Sequence, residues 1–122
     1  MPGFNSVSWF EVGTDDPATA ERFYGEVFGW TLDPDSDPAY RNFTTGGGGA
    51  PGGGLFDTAG RFPNYAIFHV LVEDVEDTCR RVEAAGGKVQ RPARSNPGGV
   101  TFAHVTDPGG NHFGVFSLQP PA

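Results

Sequence analysis

Apolar and polar positions along the chain form a pattern that occurs twice. Val7 to Val12 has the β-branched and aromatic content of a strand. Asp16 follows as an N-cap, with Pro17 at the first helical position, where its missing N–H costs nothing. Ala20, Phe23, Tyr24, Val27 and Phe28 then fall at helical spacing and form one apolar stripe, and Gly29 is a natural stop. Trp30 to Leu32 and Tyr40 to Thr45 read as strands on either side of the polar turn Asp33 to Pro38. Gly46 to Gly54 reads as a loop or an irregular crossing, and Leu55-Phe56 as a short strand.

The pattern restarts with a strand at Tyr65 to Val72. Asp74 caps a second helix whose inner face is Val75, Cys79, Val82 and Ala85. Glu76 with Arg80 and Asp77 with Arg81 make i,i+4 pairs on its wet face, and Gly86-Gly87 ends it. A strand begins at Lys88 to Arg91, and Asn96 to Gly99 is a turn. Strands Val100 to Thr106 and His112 to Leu118 flank Asp107-Pro108-Gly109-Gly110-Asn111, a strong hairpin signal. A shift of 58 positions superposes Phe10 on Phe68, Val12 on Val70, Asp16 on Asp74, Arg22 on Arg80 and Gly29 on Gly87. These matches fall on strand, cap and stop positions, which points to an internal duplication of a βαβββ module. The expected fold is α+β, one domain over 1–122, with module one at about 4–58 and module two at about 64–119.

Composition narrows the function. The 122 residues suit a single domain, and each module alone would bury too little to stand by itself. Gly and Pro together make 30 residues, but the glycines cluster, and an aromatic content of 13% supports a packed core. The net charge of −7 argues against nucleic acid and against an anionic membrane surface as partners. No apolar run is long enough to span a bilayer, and no leader pattern is visible. One cysteine, Cys79, excludes an internal disulfide and a multi-thiolate zinc site; on the apolar stripe of its helix it reads as an inert buried thiol. The expected setting is the cytoplasm. The glycine run Gly46 to Gly54 lacks a phosphate-loop pattern and reads as a flexible hairpin or a flap over a cleft.

Trp9-Phe10-Glu11-Val12, Asp16, Phe23-Tyr24 and Val27-Phe28-Gly29-Trp30 resemble the first module of the vicinal oxygen chelate superfamily. That group includes glyoxalase I, extradiol dioxygenases and the bleomycin and fosfomycin resistance proteins. Val70-Leu71-Val72-Glu73-Asp74-Val75, Ala84-Ala85-Gly86-Gly87 and Asp107-Pro108-Gly109-Gly110-Asn111 resemble its second module. The resemblance implies curved sheets enclosing a cleft, helices outside, and a homodimer. It also implies metal ligands on the first and last strands of each module. Those positions fall on Trp9, Ile67 and Gly114, with the remaining one at Gly53, Gly54 or a neighbour, and no side chain there can coordinate. The expectation is therefore no cofactor, with a divalent metal possible only off register.

Strand alternation supplies the other candidates. If Trp9 faces the cleft, so do Val7, Glu11 and Gly13; if Ile67 does, so do Tyr65, His69 and Leu71. Gly114 brings His112 and Phe116. Glu11 and His69 are equivalent under the repeat, and the family's architecture would set their strands near each other. They can be a structural pair, two separate wall residues, a general acid/base pair, or with His112 an off-register metal site. Trp9 can form an aromatic wall for a flat ligand, completed by Tyr40, Phe43, Phe56 and Tyr65, or these rings belong to the core. His104 has no assigned face. The expected function is binding of an aromatic or amphipathic metabolite as small-molecule ligand, the mild acidity favouring neutral or cationic ones. The alternative, which the resemblance also implies, is a lyase-, isomerase- or dioxygenase-like enzyme acting on a small oxygenated substrate using Glu11 and His69, with or without a divalent metal.

Overall fold

A computed structural model describes residues 3–46, 51–96 and 98–118 of the chain. They divide into two compact units, Trp9–Ala66 on one side, and residues up to Ser8 with those from Ile67 on the other. Both build the same motif from one helix and four strands, an α+β arrangement.

In the first unit the order is β1 (Ser6–Thr14), α1 (Pro17–Phe28), β2 (Thr31–Leu32), β3 (Tyr40–Thr44) and β4 (Pro51–Asp57). The strands lie in the order β2-β3-β4-β1, antiparallel except for the parallel pair β4 and β1. Asp16 caps α1 by accepting from the Thr19 N–H at 3.2 Å, and Gly29 ends it at φ 73°. Val12, Phe43 and Leu55 form the core, with Phe10, Ala20, Tyr24, Trp30 and Leu32 packed against them. The expected helix stripe is narrower than its sequence. Ala20 and Tyr24 meet the sheet, whereas Phe23, Val27 and Phe28 are each more than half exposed.

The glycine run also departs from expectation. Residues 47–50 lie outside the described residues, but Gly52, Gly53 and Gly54 belong to strand β4 rather than to a loop. Val12 pairs with Leu55 and Glu11 with Gly54 in the parallel register. Ladder pairing on both sides holds Gly53 and Gly54 extended.

The second unit runs β5 (Tyr65–Leu71), α2 (Val75–Ala84), β6 (Lys88–Ser95), β7 (Val100–Thr106) and β8 (His112–Leu118). Its strand order, β5-β8-β7-β6, repeats that of the first unit: the strand before the helix pairs in parallel with the last strand. Asp74 caps α2 through the Asp77 N–H at 3.0 Å. Val72, Val75, Cys79, Ala103, Val105 and Val115 are its buried core. On the wet face of α2, Arg80 pairs with Asp77 at 3.6 Å, an i,i+3 contact in place of the expected i,i+4 one. β6 continues past Pro92 to Ser95, with register shifts around Arg91 that absorb the proline. The hairpin turn is closed by Asp107, whose carboxylate accepts from the Gly109 and Asn111 backbone. Among the described residues no helix is long and apolar enough to cross a membrane.

Candidate functional site

Alternation along β1 sends Phe10 and Val12 to the core and Trp9, Glu11 and Gly13 to the opposite face. On β3, Phe43 is core, so Tyr40 and Asn42 share the face of Glu11. Glu11 is 4% exposed. Its carboxylate accepts from the Tyr40 hydroxyl at 2.9 Å on Oε1 and from the Tyr65 hydroxyl on Oε2. The Tyr40 oxygen in turn accepts from the Trp9 indole N–H at 2.9 Å. Burial, and then the neighbouring Glu11 charge, pushes the Tyr40 phenol above its ordinary range, so it stays a donor. Phe56 packs on Tyr40 with ring centres 6.2 Å apart. Trp9, Tyr40, Phe56 and Tyr65 thus form an aromatic frame around one buried carboxylate.

In the second unit Ala103, Val105 and Val115 turn to the core, and the residues between them turn the other way. A single row crosses four strands there: His69 on β5, Gly114 on β8, His104 on β7 and Arg91 on β6. His69 and His104 are 3% and 2% exposed, and their rings meet edge to face at 5.5 Å. Burial, and then the Arg91 charge, lowers His69 to about 4. The same causes, with His69 and His112 added, lower His104 to about 3. Both imidazoles are therefore neutral at pH 7. His104 Nδ1 and His112 Nε2 are 2.7 Å apart, one donating and the other accepting. Phe116 lies edge-on to His69 at 6.3 Å.

Among the described residues, the buried acidic and imidazole side chains are Glu11, His69 and His104. The first two were expected from alternation. His104 was not, although its place between Ala103 and Val105 was the signal that assigns its face. Tyr40 was left between wall and core; the structure gives it a hydrogen bond to Glu11. Ile67 is half-buried on β5, and His112 is half-buried against His104.

The family's metal positions can be tested on these side chains. Trp9 uses its indole N–H on Tyr40, and Ile67 offers no donor. At Gly114 the space of a side chain is filled by the His69 ring. The residues at those positions do not fit a metal ion. Other donors of suitable type are present: the neutral imidazoles of His69 and His104 in one unit, the Glu11 carboxylate in the other.

Residues 6–115 match the Glyoxalase/Bleomycin resistance protein/Dioxygenase superfamily. The chain belongs to this family. It is 31% identical over 119 residues to CFP32 of Mycobacterium bovis, whose name assigns it provisionally to the glyoxylases. It is 29% identical over 126 residues to the anthracycline biosynthesis protein DnrV of Streptomyces peucetius. These matches cover 96% and 89% of the chain but 44% and 46% of the relatives, so the chain spans less than half their length. Among solved structures, methylmalonyl-CoA epimerase from Mycobacterium tuberculosis shares the fold at TM-score 0.62, with 15% identity over 98% of this chain and 93% of that one. The Mn(II)-bound glyoxalase from Novosphingobium aromaticivorans does so at TM-score 0.62, with 21% identity over 98% of this chain and 42% of that one.

Proposed function

We propose that the chain is a small-molecule-binding member of its family, taking an oxygen-bearing aromatic or amphipathic metabolite without the family's usual metal ligands. One observation carries the reading: Glu11 is a buried carboxylate held at both oxygens by phenol hydroxyls and framed by aromatic rings. A ligand with a hydroxyl or ammonium group can exchange hydrogen bonds with this cluster, while its apolar part packs on Trp9, Phe56 and Tyr65. Ile67, His112 and Phe116 of the second unit are proposed separately as ligand-contacting side chains; the side-chain space at Gly114 is taken by the His69 ring. The relative named for anthracycline biosynthesis is compatible with an oxygenated aromatic ligand. The proposal includes a single domain over 1–122, acting in the cytoplasm as a homodimer, with neither nucleic acid nor membrane as partner.

A second reading is an enzyme, with Glu11 as the base and His69 as the acid or orienting group. The neutral state of His69 supports the orienting role, because a neutral imidazole offers one nitrogen that donates and one that accepts a hydrogen bond at pH 7.

Thermal-shift screening against neutral and cationic oxygenated aromatics, followed by calorimetry, tests binding. Stabilisation that weakens in Glu11→Gln supports the proposal; no stabiliser in that class overturns it. Turnover that collapses in Glu11→Gln while binding survives selects the enzyme. Elemental mass spectrometry, after dialysis against Mg, Mn, Fe, Ni and Zn salts, tests the metal-free clause. About one metal per chain, lost in both Glu11→Ala and His69→Ala, would overturn that clause.

A further inference from the structure

Glycine inside a strand gives up packing and adds backbone entropy to the unfolded chain, so an interior glycine needs a reason. Four glycines here share one. A Cβ on Gly54 would lie 2.1 Å from the Tyr40 ring, and one on Gly13 would lie 2.4 Å from the Tyr65 ring. A Cβ on Gly114 would lie 2.2 Å from His69 Nε2. On Gly53 it would meet Phe10 at 2.4 Å, but Phe10 is a core ring. The other three glycines carry the rings whose polar atoms build the candidate site. Gly54 lies beside Glu11 in the β1–β4 register, and Gly114 lies between His69 and His104 in the histidine row. None of the three has the positive φ that would require glycine for the backbone itself.

We propose that Gly13, Gly54 and Gly114 are positioning residues: bare strand positions on which Tyr65, Tyr40 and His69 lie down, fixing two hydroxyls on Glu11 and one imidazole beside His104. Strand side chains ordinarily stand up from the sheet, held apart by their neighbours. A bare neighbour removes that support and lets a ring cross the strand. At Gly114 the bare position falls where the family resemblance expects a ligand side chain, and the ring from β5 takes its place. The consequence for ligand binding rests on the proposed function; the placement of the rings does not.

The test needs no ligand. Because φ is ordinary at each site, alanine fits the backbone and only the ring obstructs it. Gly54→Ala is expected to lower the urea midpoint of the wild type, yet to leave it unchanged or raise it in a Tyr40→Ala background. Stopped-flow absorbance at 295 nm reads the ring directly. Gly54→Ala should gain one tyrosine that ionises near pH ~10, the ordinary phenol value. By proton NMR, His69 should titrate at about 4 in the wild type and move towards ~6.5 in Gly114→Ala. Should Gly54→Ala fail to fold, Gly54→Ala with Tyr40→Ala is still expected to fold. Equal destabilisation by Gly54→Ala in both backgrounds, or unchanged tyrosine and histidine titrations, would overturn the proposal. These readouts stand apart from binding, so either claim can fail alone.

Discussion

Replacing Tyr40 by phenylalanine removes one oxygen and two hydrogen bonds while leaving the ring on Gly54. The lost bond to the Glu11 carboxylate is of the charge-assisted kind, worth about 1.5–3 kcal/mol. The Trp9 N–H also loses its acceptor, at a cost of about 1 kcal/mol for a half-buried donor. Tyr40→Phe should therefore destabilise the fold by roughly 3 kcal/mol. At about 2 kcal/mol per M of urea, the midpoint falls by about 1.5 M, and Tm by about 10 °C. Equilibrium urea unfolding read by fluorescence, with both tryptophans as probes, measures this. Glu11→Gln keeps an acceptor and loses the charge, so a double-mutant cycle isolates the charge-dependent part, expected at about 1 kcal/mol. A loss below about 0.5 kcal/mol, with coupling indistinguishable from zero, would refute the claim that the Tyr40 hydroxyl is committed to Glu11.

Three more outcomes are expected. His69 has its pKa lowered from 6.5 to about 4, so the unfolded chain takes up the proton first. Its contribution is complete above the unfolded value and declines as pH falls towards 4; between pH 7 and 5 it should cost about 2 kcal/mol in urea unfolding, with His104, lowered to about 3, adding about as much again, and a flat profile there would contradict the burial argument. Asp74→Ala removes the α2 cap and should cost about 1 kcal/mol, while Asp74→Asn, which retains the accepting oxygen, should cost much less. Cys79 is 9% exposed, with its thiol pKa raised by burial, so its reaction with an aromatic disulfide should be on the order of 100-fold slower in native protein than in urea.

The sequence carried most of the architecture because caps, stops and turns are local. Asp16 and Asp74, Gly29 and the Asp107 to Asn111 turn each act within a few residues, and each lies where its spacing predicts. The repeat was legible for the same reason, and both units share one strand order. The site was only half legible. Alternation placed Glu11 and His69, since period two is fixed by the pleat. It did not show that Tyr40 would bond to Glu11, because that contact spans 29 positions and depends on a bare Gly54 beneath the ring. The glycine run misled for a related reason. Glycine disfavours strands when its own side chain is counted, but Gly53 and Gly54 are stabilised by the rings of Phe10 and Tyr40 on opposite faces. The apolar residues of α1 gave the reverse lesson: Phe23, Val27 and Phe28 match the helical period and are still exposed, since periodicity shows which residues share a face and not how much of it is covered.

The most direct measurement of the central claim is isothermal titration calorimetry, using the compound that most raises the melting temperature in the oxygenated-aromatic screen. Wild type, Glu11→Gln and Tyr65→Phe would be titrated under one condition. Each variant is expected to lose at least about tenfold in affinity, about 1.4 kcal/mol, while keeping a cooperative unfolding transition. Wild-type affinity in both variants would contradict the claim.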